Sequence, residues 1–184
     1  MAHSTTTALP GFGAPAVGFD TPFEMLEACH ERVERTLVLL VKLCRYLDEH
    51  ACDDSARQAA RDVLRYFDLA APHHHEDEER HIFPLLLAQG APDVVARVQQ
   101  LQHDHQQMTV HWQDARARLQ ALADGDRSAF TAEDEAAFTR FAEGYAAHIA
   151  SEEQVVYPAA RALLSAQALQ QMGQEMRQRR GAVV

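Results

Sequence analysis

One pattern occurs twice in this chain and constrains its fold more than any other feature. Residues 74–84 read His74-His75-Glu76-Asp77-Glu78-Glu79-Arg80-His81-Ile82-Phe83-Pro84, and residues 148–158 read His148-Ile149-Ala150-Ser151-Glu152-Glu153-Gln154-Val155-Val156-Tyr157-Pro158. Both are His-x-x-x-Glu-Glu-x-x-(Ile/Val)-(Phe/Tyr)-Pro. On a helix, residues four apart stand one above the other on one face. Each copy therefore presents one imidazole and one carboxylate in the same direction. That donor pair suits first-row divalent metals, iron and zinc among them. A single His-x-x-x-Glu is commonly a solvated surface pair, so the deciding question is whether the repeats lie on an apolar face.

The periodicity answers it. Thr21-Pro22 reads as a helix start, with Thr as N-cap and Pro at the first position. Apolar residues then step at three and four through Phe23, Leu26, His30, Val33, Leu37, Leu40, Cys44 and Leu47. Asp53-Asp54-Ser55 ends this helix and caps the next. The second stripe is Ala60, Val63, Phe67, Ala71, His74, Glu78 and Ile82, with a kink expected at Pro72 because its ring removes a hydrogen bond. The third runs through Val94, Val98, Leu101, His105, Met108, Trp112, Ala115, Leu119 and Leu122, closed by Asp124-Gly125-Asp126. Thr131 caps the fourth, with stripe Phe138, Phe141, Tyr145, His148, Glu152, Val155 and Ala159. A short fifth helix is expected from about Ser165 to Arg180, with Leu169, Met172 and Met176 inward. No strand pattern occurs. The reading is all-α: an up-down-up-down four-helix bundle over 21–162, a C-terminal helix and tail over 163–184, and an extended, flexible N-terminal arm over 1–20. Phe12, Val17 and Phe19 could let that arm fold over one end of the bundle.

Each long helix thus carries one histidine in its stripe: His30, His74, His105 and His148. Helices two and four add Glu78 and Glu152. In an antiparallel bundle these positions fall in the same third of the length, within roughly two turns. Two unpaired carboxylates in a core cost several kcal/mol each, and a bound dication removes that cost. Four imidazoles and two carboxylates exceed one zinc, which takes about four ligands. They suit two metals, each with two histidines and both sharing the glutamates as bridges. Two irons with an oxo or hydroxo bridge balance the charge; ligand type alone leaves zinc or manganese open. A ferritin-like reading would use Glu27-x-x-His30 and Glu78-x-x-His81. It finds no glutamate in the third stripe and leaves His105 and His148 idle.

Composition narrows the function. A net charge of −10 opposes general nucleic-acid binding, which needs a basic footprint. Cys29, Cys44 and Cys52 have no metal-knuckle spacing and read as reduced thiols. There is no signal-peptide pattern and no membrane-length apolar run, so cytoplasm and no membrane partner are the expectations.

With these residues in place, the sequence resembles the haemerythrin-like (HHE cation-binding) family. The matching features are His30, His74-x-x-x-Glu78 with Phe83-Pro84, His105, and His148-x-x-x-Glu152 with Tyr157-Pro158, over roughly residues 21 to 162. The tail Met176 to Gly181 is similar to those of bacterial members. The resemblance implies a non-haem di-iron site that binds oxygen, nitric oxide or peroxide. Two departures stand out. Oxygen-carrying members have a second helix-three histidine where this chain has Thr109, and an aspartate five residues after the last histidine, where this chain has Glu152 four residues on. The ligand set is closer to that of the di-iron proteins that repair iron centres. Tyr145, one turn before His148, and His81, one turn after Glu78, are candidates to donate to a bound oxygen species or relay a proton. The expected function is scavenging, sensing or stress repair through a small diatomic or peroxidic ligand, with no particular redox partner indicated. The alternatives are an iron-responsive metal-handling or signalling module without catalysis, and a metal-free or mononuclear zinc bundle.

Overall fold

The computed structural model describes residues 18–181, so most of the predicted arm, Phe12 and Val17 included, lies outside the described residues. Among the described residues every regular element is helical, and no helix is long and apolar enough to cross a membrane. The α-helices are α1 (Pro22–Glu49), α2 (Asp54–Arg65), α3 (Ala71–His81), α4 (Phe83–Gln89), α5 (Pro92–Asp124), α6 (Ala132–Ser151), α7 (Tyr157–Leu163) and α8 (Ala166–Arg179). Two π-helical turns, Tyr66–Ala70 and Glu152–Val156, join α2 to α3 and α6 to α7.

Local chemistry sets most of the ends. The Asp53 side chain accepts from the Ala56 N–H and starts α2. Thr131 and Asp134 form a reciprocal capping box at α6. Gly125, at φ 85°, closes α5 in the left-handed conformation that glycine alone adopts without strain. Thr21 differs from expectation. Its hydroxyl turns back to the Gly18 carbonyl and caps nothing, leaving Pro22 to begin α1. Residues 18–20 pass against α8, where a Cβ on Gly173 would lie 1.9 Å from the Phe19 carbonyl oxygen.

The π turns correct the expected kink and one stripe. Each ends two residues before a proline, Pro72 or Pro158. A helical proline cannot donate to the carbonyl four back, and its ring collides with that carbonyl. Widening the preceding turn moves the carbonyl aside, and the Ala71 and Tyr157 N–H groups bond to Tyr66 and Glu152 five residues earlier. The extra residue also shifts the register. Val156 and Ala160 are buried where the even stripe predicts Val155 and Ala159.

The core forms two apolar clusters. One contains Val33, Ala71, Met108 and Tyr145; the other contains Leu26, Ile82, Leu101 and Val156. Each stripe histidine lies between them along its own helix. His30 follows Leu26 and precedes Val33, His74 follows Ala71 and precedes Ile82, His105 follows Leu101 and precedes Met108, and His148 follows Tyr145 and precedes Val156. A polar layer is thereby sealed above and below by hydrocarbon. α1 packs against α2 and α6, and α5 packs against the same two.

α8 is latched next to this layer. Met172 and Met176 enter the second cluster, and Arg179 and Arg180 both reach the fully buried Asp77 carboxylate. Asp77→Ala removes the anion those guanidiniums share. A broken buried pair costs about 3–5 kcal/mol, and the partial exposure of both arginines reduces this to roughly 2 kcal/mol. The expected result is a melting temperature lower by about 4–8 °C and faster tryptic cleavage within α8. An unchanged cleavage pattern would show that the methionines alone hold the helix.

Candidate metal centre

The four stripe histidines and two stripe glutamates converge in the sealed layer, and all six are buried. They form two groups that share both carboxylates: His30, His74, Glu78 and Glu152, and Glu78, His105, His148 and Glu152. In each group the ligand-type atoms all lie within 4.8 Å of one another. The Nε2 atoms of His30 and His74 are 3.0 Å apart, and those of His105 and His148 are 3.2 Å apart.

Each glutamate spans the two imidazole pairs. Glu78 Oε1 lies 3.5 Å from His74 Nε2, and Oε2 lies 3.4 Å from His105 Nε2. Glu152 Oε2 lies 3.1 Å from His30 Nε2, and Oε1 lies 2.8 Å from His148 Nε2. Despite these approaches, Glu78 Oε2 and both oxygens of Glu152 lack an aligned hydrogen-bond donor. Orphaned, fully buried carboxylate oxygens are costly unless a cation satisfies them. Two imidazole nitrogens bound at right angles to one ion, at about 2.1 Å each, stand about 3.0 Å apart. The observed pair separations match that spacing, so the residues present fit a metal centre.

A second set of carboxylates orients the rings. His30 Nδ1 is 2.8 Å from Glu153 Oε1, and His105 Nδ1 is 2.9 Å from Glu79 Oε1. An Nδ1–H donated outward leaves the Nε2 lone pair pointing inward, as a metal ligand requires. The doubled glutamate of each motif therefore divides its work. The first turns inward, and the second holds a histidine of a neighbouring helix. Asp104 stands 3.5 Å from His148 Nδ1. Tyr157, from the second aromatic-proline ending, donates its hydroxyl to Glu78 Oε1 and lies 3.3 Å from His30 Nε2. Its counterpart Phe83 stacks on His105 at 5.5 Å between ring centroids.

The electrostatics of these side chains follow from burial and their mutual contacts. Burial opposes charge on His30, but the nearby Glu152 carboxylate and the hydrogen bond to Glu153 outweigh it and raise its pKa to about 9. Burial is likewise overcome at His105 by Glu152, Glu78 and Glu79, which raise it to about 11. Burial also opposes the Glu152 charge, yet His105, His148 and His30 hold its carboxyl well below the usual range. His74 and His75 are pushed down by burial. Burial raises Tyr157 well above the ordinary phenol value, so its proton stays on.

The family comparison agrees with this geometry. The model described as the Hemerythrin HHE cation binding domain matches residues 21–160. The chain belongs to this hemerythrin family. An uncharacterized protein of Haemophilus influenzae is 35% identical over 162 residues, covering 88% of this chain and 91% of that one. Members of the hemerythrin HHE family bind cations, and the buried histidine–glutamate layer is where a cation fits here.

Of the other sequence candidates, neither reaches the six. His81 bonds to Glu175 of α8 at 2.7 Å and faces away. Tyr145 packs against Phe67 and Phe141 and makes no hydrogen bond among the described residues. Tyr157 is the tyrosine whose hydroxyl reaches the six. Its signal was the aromatic of the Tyr-Pro ending, hidden because the π turn brings it inward one residue off the even stripe. Glu79 and Glu153 were visible as the second glutamate of each copy. Glu79→Ala or Glu153→Ala frees one ring to rotate, and metal retention against a chelator is expected to fall about 10–100-fold. Retention equal to wild type would assign these carboxylates to the surface only.

Proposed function

We propose that this chain is a non-haem di-iron protein built on an up-down-up-down four-helix bundle. The cluster order supports the bundle topology, since the path from one apolar cluster to the other reverses from each long helix to the next. We divide the chain, as part of this proposal, into an arm over 1–20, the bundle over 21–162 and a C-terminal helix and tail over 163–184. His30 with His74 would hold one iron and His105 with His148 the other, with Glu78 and Glu152 offering an oxygen to each. The observation that carries this is the division of each carboxylate, one oxygen toward each pair.

Bound there, the irons would supply one-electron redox chemistry and coordination positions for a small ligand. The chain's own residues do the rest. Glu79 and Glu153 fix the rings. The two apolar clusters exclude bulk water from the layer. The protonated Tyr157 hydroxyl donates to Glu78 and stands beside His30 with its lone pairs free to accept. We assign oxygen, nitric oxide or peroxide as the guest, in scavenging, sensing or stress repair in the cytoplasm. The net charge of −10 supports a role without nucleic acid. A second reading, iron occupancy signalled to a partner, draws support from Asp77. It precedes Glu78 in sequence and anchors α8 through Arg179 and Arg180.

The deciding experiment is anaerobic loading with ferrous iron, metal analysis, and the absorption spectrum before and after air. Two irons per chain with new near-ultraviolet bands on oxidation are expected, followed by spectral change on adding nitric oxide or peroxide. One zinc per chain, or no metal and no spectral change, overturns the proposal. For the second reading, limited proteolysis should show α8 protected by iron; identical cleavage with and without iron removes it.

A further inference from the structure

We propose that the recess between α3 and α5, beside His105, is a binding site for a neutral phenol. Its volume is about 340 Å³. A cavity of about 150 Å³ already takes a benzene ring, whereas a diatomic guest would leave most of this one empty. The walls are aromatic. Phe67, from the π turn before α3, lies 5.1 Å from Trp112 and 5.8 Å from Tyr145 between ring centroids, and all three border the recess. Trp112 is fixed by its edge: its Nε1–H donates to Asp68 at 3.0 Å, and Arg116 holds Asp68 in turn at 2.9 Å. Walls already in place cost an arriving ring little reorganisation.

Two polar groups on this recess have no partner. Tyr145 is 4% exposed, and its hydroxyl makes no hydrogen bond among the described residues. His75, half-buried, makes none either. It stacks on His105 at 3.9 Å between centroids and 14° between planes, so its ring nitrogens point along that plane and not at the His105 ring. Buried polar groups are seldom left unmatched, and a phenol O–H, which both donates and accepts, can answer a hydroxyl or an imidazole. The Thr109 hydroxyl, also on the recess, is spent on the His105 carbonyl at 2.9 Å. Charge narrows the guest further. Glu76 and Glu79 line the recess, and no lysine or arginine does, so an anionic ring is repelled. A cationic ring finds no free counter-charge, because Glu79 is bonded to His105 and Glu76 is paired with Arg80 and Arg179. An aromatic body, a hydroxyl and no charge together describe a phenol.

Trp112 is the one tryptophan of the chain, so its fluorescence reports on this recess. The full chain is titrated with phenol, toluene and benzoate, as isolated and again after a chelator has stripped it of metal, with calorimetry as a second readout. Phenol should give a saturable change in both forms, because binding there needs no ion in the polar layer. Toluene, which lacks the hydroxyl, should bind about tenfold more weakly, and benzoate not at all. Tyr145→Phe should bring phenol down to the affinity of toluene and leave toluene unchanged. Thr109→Phe, which sets a ring over the recess from an exposed position of α5, should abolish binding of both. Circular dichroism checks that the variants fold, and the wild-type comparison of phenol with toluene stands without them. No saturable change, toluene as tight as phenol, or phenol binding that survives Thr109→Phe would overturn the proposal. Phenol bound only while metal is present would overturn it too, since the phenol would then be a ligand of the ion, and the two-metal reading would be untouched.

Discussion

Replacing Glu78 and Glu152 together with glutamine is expected to take the iron content from two ions per chain to none, with the helical fold kept. Each carboxylate faces both imidazole pairs, so either one alone still offers an oxygen to each half. A single substitution therefore weakens both positions, and the double substitution leaves four neutral imidazoles to face two dications without a bridging anion. The fold should survive because the layer loses its own liability at the same time. The glutamates carry orphaned buried oxygens, and each isolated buried charge costs several kcal/mol. Without them, His30 and His105 keep only Glu153 and Glu79 as anionic partners, and burial weighs more heavily toward the neutral form. Circular dichroism and thermal melting of the metal-free double variant check the fold, and metal analysis checks the site. Two irons still bound to a folded double variant would refute the assignment of both glutamates.

The helices and the inward position of the six residues could be read from periodicity, because a stripe records which face is buried. His30, His74, His105 and His148 interrupt apolar stripes at positions where a solvent-facing residue does not belong. What periodicity could not carry was any departure from 3.6 residues per turn. The π turn at Glu152–Val156 adds a residue, so the inward face after Glu152 passes through Val156, Tyr157 and Ala160. An even stripe puts Val155 and Ala159 there and leaves Tyr157 outside. Pro158 was the available sign, equivalent to Pro72 in the other repeat. Cross-helix partners were hidden for a different reason. Glu79 meeting His105 and Glu153 meeting His30 depend on how helices are rotated against one another, which no single-helix pattern contains. His81 shows the same limit in reverse. Its spacing from Glu78 suits the centre, but α8 supplies Glu175 on the outer side and takes it.

The metal-free protein is expected to lose stability as pH rises above neutrality, while the iron-loaded protein does not. His30 and His105 have folded pKa values of about 9 and about 11 against an ordinary value of 6.5. Below 6.5 the folded and unfolded chains hold these protons alike, and the stabilisation by Glu152, Glu78, Glu79 and Glu153 is fully present. Between 6.5 and 9 the folded chain binds up to two more protons than the unfolded one, so stability falls by up to about 2.7 kcal/mol per pH unit. The slope eases above 9 as His30 discharges and ends near 11 with His105. Glu152 acts on the acid side with the opposite sign: its depressed pKa stabilises the fold above the ordinary 4.5 and is lost as pH falls through the folded value. Maximum stability of the metal-free form therefore lies between about 4.5 and 6.5. Iron removes the alkaline limb, because an imidazole must give up its proton to bind metal and loading then releases the protons that the metal-free fold retains. Denaturant unfolding at several pH values from 6.5 to 9 should show the two forms diverging, the loaded form gaining relative to the metal-free one at every step. A metal-free protein whose stability is flat over that range would mean that the imidazoles are already neutral. The buried carboxylates would then have to be balanced by something other than His30 and His105.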